Sequence, residues 1–343
     1  MDAGSPLFSP PNPVHQTRLG TYHCTDVTTW LTTPAADDLC GKVQLILTSP
    51  PFPLNEKKAY GNHTGQDYYE WFVHLAPRFA ALLAPDGSLV IEMGNAWEGE
   101  RPVQSLLHLE ALLAFVKHPE AGLRLCQQFI CHNPARLPSP AQWVTVTRSR
   151  VTDSFTHLWW MSRTDTPKAD NRKVLRPYSK SMRNLLNRQQ FNAGPRPSGH
   201  HISPAGFLSD HQGSIPPNVI EMEPIDDHRD VRLPFPVNAF SIANTASNDF
   251  FLKTCRSRGI TPHPARMPTG LAAFFIQFLT DPNDLVLDPF AGSNTTGFVA
   301  ECLERRWLAL EIDPTYTEQS KIRFEDPLLR PSGASPYESH EHY

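Results

Sequence analysis

The stretch DLVLDPFAGSNTTGFVAECLERRWLALEID, residues 284–313, changes its hydrophobic period twice. Leu285–Leu287 is a short continuous apolar run that stops at Asp288 and a proline. A Gly-bearing turn follows, a helix-spaced run opens near Asn294, and Trp307–Leu310 is a second strand-like run ending at Glu311. Strand, Gly-bearing turn, helix and strand, with an acid about 20 residues beyond the turn, is the nucleotide-binding βαβ plan. Gly292 lets the backbone approach a ligand closely, and free N–H groups at the helix start suit an anion, here a carboxylate. Glu311 can accept both hydroxyls of a ribose. The turn reads F-A-G-S-N-T-T-G, not G-x-G-x-x-G, and carries no P-loop lysine, which argues against a dinucleotide or a triphosphate.

A second segment, VQLILTSPPFPL at residues 43–54, runs apolar and then breaks on two prolines. Val43–Thr48 therefore reads as a fully buried strand of a parallel sheet. In open α/β sheets the residues just beyond such a strand line the ligand crevice. This crevice would contain a hydroxyl (Ser49), a locked backbone (Pro50 and Pro51) and a ring (Phe52).

Composition sets the class. The chain has 343 residues, 40% of them hydrophobic and 19% charged, with a net charge of -4. That is enough for roughly two domains, or one large domain with an insertion. Its start lacks the basic residues and apolar run of a signal peptide, and no segment offers the roughly 18 apolar residues of a membrane span. The six cysteines form no C-x-x-C pair, so a reducing compartment is expected and no metal site. Cys126, Cys131 and His132 lie close together but in an apolar, strand-like run.

Along the chain, residues 1–17 read as a Pro- and Ser-rich lead-in. Strand-like and helix-like pieces then alternate: a helix over Tyr68–Leu83, a strand over Ser88–Met93, a helix over Leu106–Phe115, and strands in LRLCQQFICHNP and SFTHLWWMSR. After the middle region come the helix GLAAFFIQFL and the segment quoted first. This alternation predicts an α/β fold with a mostly parallel sheet. Between Arg163 and His200 the pattern weakens, and nine Lys and Arg stand against two acids. In an acidic protein that excess is a local basic patch.

DPFAGSNTTG together with TSPPF resembles the amino-methylating DNA methyltransferases. The serine in the second motif is similar to their cytosine-N4 branch. TSPPFPLNEKKAYGN, LPSPAQWV, RPSGH, GSIPPN, HPARMP and GSNTTG occur in the order found in the PvuII-type modification methylases, spanning about residues 22 to 325. The resemblance implies a Rossmann-like S-adenosylmethionine-dependent sheet in circularly arranged motif order, with the catalytic motif before the cofactor motif. It divides the chain into a lead-in (1–17), a catalytic part (18–162), a basic target-recognition region (163–248), a cofactor-binding part (249–326) and a tail (327–343).

Residue by residue, the resemblance assigns the methionine end of S-adenosylmethionine to Asp288, Phe290, Ala291, Gly292, Ser293, Asn294, Thr295 and Thr296. Glu311 would hold the ribose, Asp26 in HCTD would face the adenine, and Thr48 belongs to the same set. His263, Pro264 and Arg266 in HPARMP would close over the methionine moiety. The partner implied is double-stranded DNA, bound through Lys168, Arg172, Lys173, Arg176, Lys180, Arg183, Arg196 and His200. A companion restriction endonuclease, a monomeric state and the cytoplasm of a bacterial or archaeal cell complete that expectation.

The chemistry suits the motif. An exocyclic amine conjugated to a pyrimidine is a poor nucleophile because its lone pair is delocalised. Acceptors such as Ser49 Oγ and the Pro50 carbonyl would draw its N–H groups and free that pair. Pro50-Pro51 fixes the carbonyl's direction, and Phe52 offers a stacking face for a base that has left the duplex. A cytosine-C5 methylase needs a Pro-Cys nucleophile, and no cysteine here follows a proline. Two rival readings share the fold: an adenine-N6 methyltransferase, and a non-catalytic DNA-binding protein.

Overall fold

The computed structural model describes residues 13–53, 63–189, 208–223 and 250–326, with 194–195, 197–198, 201–202 and 242–243 between them. Taken along the chain, the principal strands are β1 (Gly20–Cys24), β2 (Val43–Thr48), β3 (Leu83–Gly94), β4 (Arg124–His132), β5 (Phe155–Ser162), β6 (Val219–Glu223), β7 (Leu285–Asp288) and β8 (Arg306–Glu311). The longer helices are α1 (Gly65–Leu82), α2 (Leu107–Val116), α3 (Lys180–Arg188), α4 (Phe250–Ser257), α5 (Thr269–Leu279), α6 (Thr295–Cys302) and α7 (Pro314–Ser320).

The principal strands form one sheet in the order β1-β8-β7-β2-β3-β5-β4-β6, extended at its edges by His15–Gln16 and Ile242–Ala243, while Gly194–Pro195 and His201–Ile202 pair in a separate two-stranded antiparallel ribbon. All eight principal strands run parallel except β5, which is antiparallel to both β3 and β4. The decisive pairing is β7 with β2, Val286 opposite Leu45 and Leu287 opposite Ile46. It places the two quoted segments side by side, so the sheet is built from both ends of the chain.

A parallel sheet buried on both faces needs apolar residues at successive positions, and β2 is buried at every one. Its side chains divide between two cores. Val43 and Ile46 join Leu89, Ile91 and Leu287 under α1 and α2, through Tyr68, Phe72, Phe79, Leu112 and Phe115. Leu45 and Leu47 join Val90, Val286 and Trp307 under α5 and α6, through Leu271, Phe275, Ile276 and Val299. The result is a helix–sheet–helix sandwich.

One boundary differs from the sequence reading. A turn at PDG followed by a strand from Ser88 was expected, yet β3 begins at Leu83. The register against β2 shifts between Val43 and Leu45, which absorbs the turn residues as an irregularity in the strand. A Cβ on Gly87 would stand 2.8 Å from the Val43 carbonyl, so only glycine permits that approach.

Candidate active site

The parallel strands all end at one edge of the sheet. Beyond β2 lie Ser49, Pro50, Pro51 and Phe52; beyond β7, Phe290 to Gly292; at the end of β8, Glu311. These residues line a cleft of about 550 Å³, within the usual range for a small-molecule site.

Asp288 anchors the floor. It is almost fully buried and accepts from Thr48 Oγ1 at 2.8 Å, Thr296 Oγ1 at 2.7 Å and the Phe290 amide at 3.1 Å. Thr48 thus ties β2 to β7 directly below the cleft. Gly292 adopts φ +52°, a conformation in which a side chain is strained. Its carbonyl accepts from the Tyr22 hydroxyl at 2.6 Å, and its amide donates to Glu311 Oε2 at 2.8 Å. The other Glu311 oxygen accepts from the Asp313 amide at 3.0 Å. Each carboxylate oxygen keeps a lone pair for further donors. His263 lies over Gly292 and edge-on to Tyr316, 4.2 Å between ring centroids. Arg266 curls back to donate to the His263 carbonyl.

Asp26, on the adjoining wall, accepts from the Thr29 amide at 3.0 Å and so caps a short helical turn, Val27–Trp30. Thr295 lines the cleft, and its buried hydroxyl has no hydrogen-bond partner among the described residues. An unpartnered buried hydroxyl beside a glycine in that backbone conformation fits a ligand carrying a carboxylate or ammonium group.

Burial pushes Asp288 up to about 6, against the hydrogen bonds from Thr296, Thr48 and the Phe290 amide, which lower it. Between about pH 6 and pH 4 the folded protein holds a proton that the unfolded chain releases. The stability tied to this group is therefore complete below about pH 4 and lost as pH rises through about 6. Asp288→Asn removes that dependence. In urea unfolding, the parent is expected to gain about 1–2 kcal/mol relative to Asp288→Asn between pH 7 and pH 5; parallel curves would refute the assignment.

The opposite half of the cleft holds a group the sequence reading missed. Glu92, on β3, is buried, accepts from Ser49 Oγ at 3.1 Å and accepts from Thr156 Oγ1 at 3.0 Å. Burial raises its pKa; Thr156, Ser49 and the nearby Arg136 charge oppose the rise. Its signal was visible as a lone acid within the apolar run LVIEM, since a charge in a buried strand needs a reason. Because Ser49 gives its proton to Glu92, the serine lone pairs are left to accept. Phe52 packs closely on Gly94, where a Cβ would come within 2.4 Å of its ring. Trp71 of α1 packs edge-on to Phe290 at 5.6 Å and shares the cleft wall. Neither Trp71 nor Arg136 was singled out from sequence.

Several expected site residues lie elsewhere. Thr48 is fully buried beneath the cleft and acts through Asp288. Ser293 is buried and held by Arg323, and Asn294 is the N-cap of α6, its side chain accepting from the Gly297 amide at 3.1 Å. These three brace the turn and do not line the cleft. Lys168 pairs with Asp284 at 2.9 Å, and Lys173 pairs with Asp281, both acids preceding β7. Arg172 pairs with Asp170, whose amide donates to the Phe278 carbonyl. That is the sheet edge opposite the cleft, and there these three cations sit in ion pairs. Arg176 is half-buried beside Ser214. Lys180 and Arg183 lie exposed on α3, with no described carboxylate paired to them. Arg196 and His200 fall outside the described residues.

The profile of the family described as DNA methylase matches residues 43–322, most of the chain. This chain belongs to the DNA methylase family. The type II methyltransferase M.PvuII of Proteus hauseri is 40% identical over 286 residues, 83% of this methylase and 78% of that protein. The DNA adenine methyltransferase YhdJ of Escherichia coli is 40% identical over 63 residues, 18% of this chain and 21% of the relative. Among solved structures, the PvuII DNA methyltransferase (cytosine-N4-specific) is similar with a TM-score of 0.68 and 34% identity, over 92% of this chain and 89% of that one. The cleft at the carboxyl edge of the sheet is accordingly the active-site candidate of a DNA methylase.

Proposed function

We propose that the protein is a site-specific methyltransferase that carries a methyl group from S-adenosylmethionine to the exocyclic N4 of a cytosine flipped out of double-stranded DNA. The observation that carries this reading is the Ser49–Glu92 pair at the mouth of β2, facing the Gly292–Glu311 turn across one cleft. S-adenosylmethionine supplies the methyl group on a sulfonium. Glu311 and the Gly292 turn hold its ribose and methionine ends, and Thr295 offers a hydroxyl to the latter. Ser49 Oγ and the Pro50 carbonyl accept the two N–H groups of the target amine, freeing its lone pair. The nitrogen would gain the methyl group as the sulfonium's methyl C–S bond breaks, S-adenosylhomocysteine would leave, and the surplus amine proton would pass to solvent, with no covalent bond to the enzyme. Preorganised acceptors and orientation account for the rate. Similarity to a cytosine-N4-specific structure supports the choice of base.

Residues 163–248 act in this proposal as the target-recognition region, entered through α3. Its apolar residues Met182, Leu185 and Leu186 are half-buried, while Lys180 and Arg183 are exposed. Neutralising phosphates with such cations makes binding salt-dependent. Arg183→Ala is expected to weaken DNA binding and reduce the slope of log affinity against log salt by about 1. Lys168→Ala is expected to leave both unchanged. Fluorescence anisotropy across a salt titration distinguishes them, and equal effects would contradict the placement.

The mark would protect DNA from a companion restriction endonuclease, with the enzyme a monomer in a bacterial or archaeal cytoplasm. Unmodified DNA treated with methyl-labelled cofactor and digested to nucleosides tests the reaction. N4-methylcytosine is the expected product. Labelled N6-methyladenine would overturn the base assignment, and absence of label would overturn the enzyme.

A further inference from the structure

The cleft has two described Lys or Arg side chains on its wall, and they belong to different halves. Arg266 lies with His263 beside Gly292. Arg136 lies in the loop after β4, next to Phe155 and Thr156 at the start of β5. It is half-buried, and its Nη1 donates to the Phe155 carbonyl at 3.3 Å. That bond uses one of five guanidinium N–H groups. Both oxygens of the neighbouring Glu92 already accept from hydroxyls, Ser49 on one side and Thr156 on the other. No described carboxylate forms an ion pair with Arg136. The guanidinium is therefore a held, underused donor on the Ser49 side of the cleft.

Base chemistry says what such a donor can read. With the amine at Ser49, the same edge of cytosine continues through N3 to the O2 carbonyl. The matching edge of adenine continues through N1 to a C–H. A fixed donor at that end finds an acceptor in cytosine and none in adenine. We propose that Arg136 selects the base, donating to O2 of the extruded cytosine and leaving adenine without a partner. This rests on the cytosine-N4 reading above. A site built to hydrogen-bond a substrate group discriminates strongly against an analogue lacking it.

The experiment uses the full chain saturated with S-adenosylhomocysteine and duplexes of the sequence at which label is incorporated. The target position carries cytosine, adenine or an abasic residue. Arg136→Met is expected to weaken binding of the cytosine duplex about 10- to 100-fold. The adenine and abasic duplexes should change by no more than about twofold, and the salt slope should stay that of the parent. Arg136→Gln, which keeps an amide donor, should fall between parent and Arg136→Met on the cytosine duplex alone. Equal weakening of all three duplexes would mean a phosphate contact and overturn the inference. So would an unchanged cytosine affinity, or a loss of free-cofactor binding marking a structural role. An N6-methyladenine product would instead overturn the underlying reading, before any Arg136 variant is compared.

Discussion

Ser49→Ala protein is expected to methylate a matched duplex about 10²–10³ times more slowly than the parent in single-turnover assays, the usual cost of one preorganised polar group. Cofactor affinity and fold should stay near those of the parent, because the serine's described contact is with Glu92 and not with the Gly292–Glu311 turn. The pair also predicts a pH dependence. Burial raises Glu92, so it protonates at a higher pH than an ordinary glutamate. The ionised form accepts at both oxygens, from Ser49 and Thr156, whereas protonation turns one oxygen into a donor and weakens the hold on the serine hydroxyl. The rate should therefore fall as pH drops through that raised value. Glu92→Gln should be slow at every pH and lack this acid limb. Equal single-turnover rates for parent and Ser49→Ala would remove the serine from catalysis. A large loss of cofactor binding in Ser49→Ala would instead make it a structural prop.

Gly292→Leu is expected to abolish measurable S-adenosylmethionine binding by calorimetry. At φ +52° a side chain is strained, a cost of about 1–3 kcal/mol for a non-glycine residue held there. The Cβ itself would have room, with the His263 ring 3.4 Å away. The rest of a leucine would occupy the cleft or displace His263, closing the space where a ligand meets the backbone. Glu311→Ala should be milder, weakening the cofactor about 10- to 100-fold, in line with charge-assisted hydrogen bonds of about 1.5–3 kcal/mol. It also removes the acceptor of the Gly292 and Asp313 amides. Both effects should appear in binding without DNA. Parent-like affinity in either variant would refute the cofactor assignment of this turn.

Much of the cleft was legible because its residues are local to a motif. Ser49 through Phe52 follow a buried strand, and Asp288 through Gly292 follow another, so one rule about strand ends nominated both. Glu92 was passed over because its role comes from register. It faces Ser49 because β3 lies beside β2, with Ile91 opposite Thr48. Arg136 reaches the same place from a loop after β4, brought in by β4–β5 pairing such as His132 with Phe155. The basic count between Arg163 and His200 is silent on placement for the same reason. Composition cannot say which end of the sheet a segment crosses, and 168–173 crosses the end away from the cleft.

The sequence by itself determined the fold class, the two strand-end motifs and the family resemblance, because apolar periodicity and turn chemistry act over neighbouring residues. Tertiary structure decided that Thr48, Ser293 and Asn294 brace the cleft instead of lining it, and that Lys168, Arg172 and Lys173 are spent in ion pairs. It also decided that Glu92 and Arg136 stand beside Ser49. Each of these depends on which strands pair and in what register, a long-range choice made when the whole apolar surface is buried together.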